Sequence, residues 1–244
     1  MNFDVFYLNY MEFAKRTSIN VDTSFRCRLQ CPACARQLNP RIKERLEASS
    51  DIKQEHFNML LTTFSKLHLC GQISDPIYHP KFLDLLQNKY DNYKSTILSI
   101  HTNGSGKKID WWKKAFSMTD EYTKWVFALD GFTQKISNMY RVGTDAENVK
   151  EVMVLGASKN INIEWQYLVF EHNEHEVDDA MQFALNNNIT FLLSRPDRFG
   201  VENRNWLKPS TKNDWVNKSN NVTVDAVAYK PITTIRYKTV FKKK

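Results

Sequence analysis

Ser24-Phe25-Arg26-Cys27-Arg28-Leu29-Gln30-Cys31-Pro32-Ala33-Cys34-Ala35-Arg36 places three of the chain's four cysteines within eight residues, spaced C-x3-C-x2-C, directly after the strand-like run 18–22. A cube of four irons and four sulfides takes one thiolate per iron. Three thiolates on one loop therefore leave one iron without a protein ligand, open to a small molecule that carries an amine and a carboxylate. The same loop also suits three of the four donors of a structural zinc ion, with a histidine supplied from elsewhere. Zinc loops usually come as two well-separated pairs, and the sequence contains no second cysteine cluster.

Around this loop the chain has 244 residues, 42% hydrophobic and 25% charged, enough for one large domain with a full core. No run approaches the roughly 20 apolar residues of a membrane span, and residues 1–11 lack a signal-peptide pattern. These features predict a cytoplasmic protein without a membrane partner, in a compartment reducing enough for crowded thiols. The net charge of +7 comes from the C-terminal part: from residue 201 onward ten Lys or Arg face three Asp or Glu. The basic excess describes the tail and says little about the body of the chain.

Downstream of the loop, hydrophobic periodicity alternates between helix and strand. Helices are expected over 54–65, 81–89, 109–117, 146–158 and 174–187; strands over 18–22, 66–70, 96–101, 124–129, 161–169 and 190–193. Residues 40–50 read as a charged, partly helical connection. Six strands separated by helices indicate an α/β protein with a parallel sheet. Six units fall short of the eight in a closed (β/α)8 barrel. Alternation over 221–229 and 232–241, around Lys230-Pro231, predicts a β-hairpin in the basic extension. Its expected role is a lid or partner surface; phosphate tracking with stacked aromatics is the rival. The division expected is 1–17 as N-terminal extension, 18–200 as core and 201–244 as basic C-terminal extension.

The cysteine spacing resembles the cluster motif of the radical S-adenosylmethionine (radical SAM) enzymes, and the resemblance spans about residues 18–195. It implies a partial (β/α)6 TIM-like barrel in which Cys27, Cys31 and Cys34 hold an oxygen-sensitive [4Fe-4S] cluster. The fourth iron chelates the methionine part of S-adenosylmethionine, and reductive cleavage yields a 5'-deoxyadenosyl radical that abstracts hydrogen from a substrate. An electron donor such as flavodoxin or ferredoxin is implied as a partner.

Other positions match the family's motifs at strand ends. Cys70-Gly71-Gln72-Ile73-Ser74-Asp75-Pro76 stands where the family has Gly-Gly-Glu-Pro, so the resemblance assigns Gly71, Gln72 and Asp75 to the cofactor. Thr102-Asn103-Gly104 matches a Thr-Asn-Gly segment beside the cofactor. Ala128-Leu129-Asp130-Gly131 resembles Ser-Leu-Asp-Gly, with alanine in the place of the ribose-binding serine. There Asp130 is assigned either to ribose or substrate or to holding the loop. Tyr140-Arg141 resembles a segment whose arginine pairs with the methionine carboxylate, and Gln166 lies where the family contacts adenine.

Cys70 reads as a small buried residue. No cysteine follows it, so no auxiliary cluster is expected. His172 and His175 fall in an acidic stretch, 171–176, expected to be solvated. No catalytic acid or base is legible, and the substrate is open among peptide, nucleotide and small metabolite. A glycyl-radical enzyme activase is the competing assignment within the same chemistry. A zinc-stabilised nucleic-acid-binding protein using the basic tail is the competitor from another class.

Overall fold

The computed structural model describes residues 18–70, 73–194 and 196, together with the backbone of two strands at 222–225 and 238–241. In chain order the elements are β1 (Ser18–Asn20), α1 (Ala35–Leu38), α2 (Pro40–Glu47), α3 (Gln54–Thr63), β2 (Lys66–Leu69), α4 (Phe82–Asn92), β3 (Ile97–Thr102), α5 (Ile109–Ser117), β4 (Thr123–Ala128), α6 (Gln134–Tyr140), α7 (Ala146–Ser158), β5 (Asn162–Leu168), α8 (Val177–Asn186), β6 (Thr190–Ser194), β7 (Val222–Asp225) and β8 (Lys238–Phe241). Short 3-10 turns occupy Pro76–Tyr78 and Glu174–Glu176. The fold is α/β, its six core strands parallel as in a partial TIM-like barrel. No helix among the described residues is long and apolar enough to cross a membrane.

Two compact units divide the chain. The first comprises residues 1–27, 44–102 and 107–126, with strand order β1-β2-β3-β4. Parallel pairing sets Ile19 opposite Leu67 and Leu67 opposite Leu98. Successive strand side chains point to opposite faces. Leu67, Leu69, Leu98, Ile100 and Trp125 are buried, on one face of their strands. Among the helical residues of this unit, Phe82, Trp112, Ala115 and Phe116 are buried as well. Trp125 sits at the centre of an aromatic group, edge-on to Trp112 at 5.4 Å and to Phe116 at 5.6 Å, and its indole N–H donates to Thr119 Oγ1 at 3.1 Å. The opposite face of β2 and β3 is polar: His68 stands opposite Ser99, and Ser99 Oγ lies 3.2 Å from Nε2 of His101.

The second unit comprises residues 28–43, 103–106 and 127–244. Its strand order is β5-β6-β8-β7. β5 and β6 are parallel; β8 adds to β6 antiparallel, with Leu192 opposite Val240, and β7 adds antiparallel to β8. Trp165, Tyr167 and Phe191 form the buried face, the Trp165 and Phe191 rings edge-on at 5.3 Å. The Trp165 indole donates to the Leu129 carbonyl at 2.7 Å. α7 begins where the Asp145 side chain accepts the Asn148 N–H at 3.2 Å. It buries Val149, Val152, Met153 and Gly156, the spacing of one helical stripe.

Several boundaries differ from the sequence pattern. β1 ends at Asn20, although Val21 N–H still donates to the His68 carbonyl at 2.8 Å. Asp22 instead accepts the Ser74 hydroxyl at 2.8 Å. α4 runs on to Asn92, and a 3-10 turn precedes α8 where one helix was expected. α6, seven residues long, was not anticipated. The paired backbones of β7 and β8 agree with the hairpin expectation over the residues described; residues 1–17 and the rest of the extension lie outside them.

Lys89 has no exposed side-chain surface, and its ammonium binds both carboxylate oxygens of Asp120 at 2.8 and 2.7 Å. Breaking such a pair from one side strands a buried charge. Lys89→Ala is expected to lower unfolding free energy by about 3 kcal/mol, read as a lower urea midpoint at unchanged m-value.

Candidate functional site

The first unit contributes Cys27 and the segments that precede and follow β2. Thr23 and Ser24 are buried. Ser24 Oγ accepts the Arg26 N–H at 3.1 Å, and Ile52 N–H donates to the Thr23 carbonyl at 3.0 Å. The Arg26 guanidinium pairs with Asp51 and lies 4.2 Å from the centre of the Phe25 ring. These contacts fix the approach to Cys27, which is half-buried. Asp75 N–H donates to the Arg26 carbonyl at 2.8 Å, joining the segment after β2 to the residue before Cys27.

The Asp75 carboxylate is 3% exposed and accepts from the Thr102 hydroxyl at 2.9 and 3.1 Å and from the Ile77 N–H at 3.2 Å. Asp75 and Thr102, both assigned to the cofactor by resemblance, thus bond each other and tie the end of β3 to the 3-10 turn after β2. Gly71 and Gln72 lie outside the described residues. Cys70 is half-buried and in no disulfide. Lys107, with its amine 5.3 Å from the Tyr78 ring and 5.1 Å from Trp111, is pushed down from the usual lysine range by burial, opposed by Asp75.

The second unit contributes Cys31 and Cys34. Leu29, Cys31 and Ala33 are buried, and Gln30 N–H donates to the Val142 carbonyl at 2.9 Å. Cys34 N–H donates to the Cys31 carbonyl at 3.0 Å, closing a turn that leads into α1. Ala33 packs with Tyr140 and Phe170, whose rings are 4.6 Å apart.

Asp130, fully buried, accepts the Leu168 N–H on Oδ1 at 2.7 Å and Nε of Arg141 on Oδ2 at 2.6 Å. Burial pushes its carboxyl up, opposed by Arg141 and the Leu168 N–H. Burial also works against the Arg141 charge, but Asp130 outweighs it and holds the guanidinium firmly protonated. Burial raises the Cys31 thiol, and the Arg141 charge opposes the rise. Asp130 is thus bonded to Arg141 and to the Leu168 N–H.

The Asn103 side chain accepts the Ser105 N–H at 2.9 Å, shaping its own loop. The Ser105 hydroxyl then meets Thr144 Oγ1 at 3.0 Å. Gln166 is half-exposed on the face of β5 opposite Trp165 and Tyr167. A β-carbon on Gly131 would overlap the backbone of Ser137 in α6, so the Asp-Gly pair serves close packing here.

The stretch 171–176, expected to be solvated, holds two buried side chains. Asn173 is wholly buried and donates to the carbonyls of Asp130 at 3.0 Å and Leu168 at 2.9 Å. Glu176 accepts from Phe132 N–H at 2.7 Å, Thr133 N–H at 3.2 Å and the Thr133 hydroxyl at 2.6 Å. These amides precede α6, and a carboxylate there offsets unsatisfied N–H groups. Within the stretch a mixture of acids and amides is indistinguishable from solvated loop; only partners about 40 residues away reveal its role.

None of the four cysteines is in a disulfide. Among the described residues no group of three or more His, Cys, Asp or Glu side chains is gathered for a metal ion. A cube takes one thiolate on each of separate irons, which the three loop cysteines fit as a donor set.

No family model matches the sequence, and no curated protein matches it. Solved structures do match in fold. SuiB of Streptococcus suis bound to precursor peptide SuiA has a TM-score of 0.64 at 14% identity, over 84% of this chain and 46% of that one. SuiB bound to S-adenosylmethionine gives 0.60 at 14% identity, over 87% and 48%. Native anSMEcpe with bound AdoMet gives 0.52 at 17% identity, over 78% and 55%. The chain thus spans about half the length of the structures it matches. Its fold is the partial barrel of these radical SAM enzymes.

Gly131→Ala is expected to cost about 1–3 kcal/mol, since backbone rather than a flexible side chain stands in the way. Thermal unfolding that leaves Tm unchanged would contradict this packing.

Proposed function

We propose that the chain is a radical SAM enzyme whose cluster is held by Cys27, Cys31 and Cys34. The observation that carries this reading is the C-x3-C-x2-C loop, its three cysteines outside any disulfide, following the first strand of a fold like that of radical SAM enzymes. Held by these three cysteines, a [4Fe-4S] cluster would supply the one electron that splits a carbon–sulfur bond of S-adenosylmethionine into methionine and a 5'-deoxyadenosyl radical, the species that abstracts hydrogen.

The chain's own residues bind, orient and shield. Backbone groups of the segment 71–75, with Gly71 and Gln72, are assigned to the methionine amine, and Asp75 is held at the end of β3 by Thr102. Arg141 keeps N–H donors beyond Nε for the methionine carboxylate, which a planar fork suits. Asn103 shapes the loop beside the cofactor, and Gln166 offers an amide to adenine. Asp130 acts through Arg141. The buried Ala33, Tyr140 and Phe170 keep water from one side of the loop.

A peptide substrate takes precedence over nucleotide and small metabolite, because SuiB and anSMEcpe have structures with peptides bound, SuiA and Cp18Cys respectively. The implied electron donor is a flavodoxin or ferredoxin, in a cytoplasm reducing enough to preserve the cluster.

Protein purified and reconstituted without oxygen should be brown and bleach in air, whereas a zinc protein is colourless. Reduced with dithionite in the presence of S-adenosylmethionine, it should yield 5'-deoxyadenosine by mass spectrometry. Cys31→Ala should lose both colour and product. A wild-type protein fully loaded with iron that makes no 5'-deoxyadenosine with any peptide tested would defeat the reading.

A further inference from the structure

The 3-10 turn Pro76–Tyr78 meets the approach to the cysteine loop at two points. The first is the Asp75 N–H on the Arg26 carbonyl at 2.8 Å. The second runs through His79, which ends the turn and is 5% exposed. Its main chain is held from both sides: its N–H donates to the Pro76 carbonyl at 3.0 Å, and its carbonyl accepts the Phe82 N–H at 3.0 Å. The imidazole is thereby aimed, and both its nitrogens are committed. Nδ1 accepts the Lys81 N–H at 3.0 Å, and Nε2 lies 3.0 Å from the Ile52 carbonyl. An amide N–H only donates and a carbonyl only accepts, so the ring is the neutral tautomer with its proton on Nε2. Ile52 passes the contact on, its own N–H donating to the carbonyl of buried Thr23 at 3.0 Å.

We propose that His79 is a positioning residue for Cys27: by donating to Ile52 it keeps that residue's backbone against Thr23 and so fixes the stretch that presents the Cys27 sulfur. The use of that position, to hold an iron, rests on the cluster reading above; the hydrogen bonds do not. Between β1 and Cys27 no residue belongs to a helix or strand, so lateral bonds alone hold the chain there. The Arg26–Asp51 pair ties the same two segments, but 40% of the arginine side chain is exposed, and such pairs are worth little in water. The His79 bond is shielded from that competition, and a buried carbonyl left without its donor carries the full desolvation cost. Glutamine at position 79 carries an N–H donor as far from the backbone as Nε2. Asparagine is one bond shorter; it keeps an acceptor for Lys81 and loses the donor to Ile52.

The test is the iodoacetamide alkylation rate of each cysteine in the reduced, metal-free full chain, read by peptide mass spectrometry for wild type, His79→Gln and His79→Asn. Cys27 should react about tenfold faster in His79→Asn, the factor expected for the loss of one buried hydrogen bond. In His79→Gln it should react near the wild-type rate, with Cys31 and Cys34 unmoved in both variants. In reconstituted protein, iron should pass to a chelator faster from His79→Asn than from wild type or His79→Gln. A wild-type Cys27 rate in His79→Asn, or equal acceleration in both variants, overturns the inference. A rise shared by all three loop cysteines overturns it as well, because it marks general loosening of the fold. Should His79→Asn fail to fold, Ile52→Pro, which removes the N–H that Thr23 accepts, takes its place under the same criteria. If wild type assembles no four-iron cluster, the proposed function falls, while the alkylation pattern still decides whether His79 positions Cys27.

Discussion

A carboxylate with no exposed surface has to be matched by donors or lose its charge, since burying it unpaired costs far more than most folds can spare. Asp130 is matched on both oxygens, by Arg141 and by the Leu168 N–H, while its own carbonyl receives Asn173. That one side chain thereby fixes the end of β4, the end of β5, the segment after α6 and, through the Gln30–Val142 bond, the half of the cysteine loop carrying Cys31 and Cys34. Glu176 completes the arrangement by accepting the amides that lead into α6, which ends at Tyr140 beside Arg141. The cysteine loop has little regular structure of its own between Val21 and Cys34. Its shape is borrowed from these buried charges.

The first unit solves the same problem with neutral donors. Asp75 is satisfied by a hydroxyl and a backbone amide, and its own N–H supports the carbonyl of Arg26 next to Cys27. In both units an acidic residue at a strand end is used to hold a neighbouring segment. The contacts of Asp75 hold a backbone turn, and those of Asp130 hold an arginine.

The face of each strand that packs on helices was legible because period-2 burial writes itself into sequence: Leu67 and Leu69, Leu98 and Ile100, Trp165 and Tyr167 are all buried. The cysteine loop stood out in the sequence because three of four cysteines fall within eight residues. α6 was not legible, since its apolar positions Ile136, Met139 and Tyr140 span little more than one turn and its start depends on Glu176, more than 40 residues later. Asn173 was hidden for the same reason. The polar face formed by His68, Ser99 and His101 went unnoticed because the two histidines lie 33 positions apart and meet only across the pairing of β2 with β3. Local pattern reports which face is oily; it reports poorly which distant amide a carboxylate will satisfy.

The antiparallel addition of β8 to β6, and of β7 to β8, has a consequence for solubility. A parallel core strand left at a sheet margin offers its unpaired N–H and C=O groups as a template on which another chain can grow. With β8 in place, the margin at that side of the sheet passes to β7, a strand of four residues, too short to seed extensive intermolecular pairing. Losing β8 would strip β6 of its antiparallel neighbour and lay that edge open as a template for intermolecular pairing.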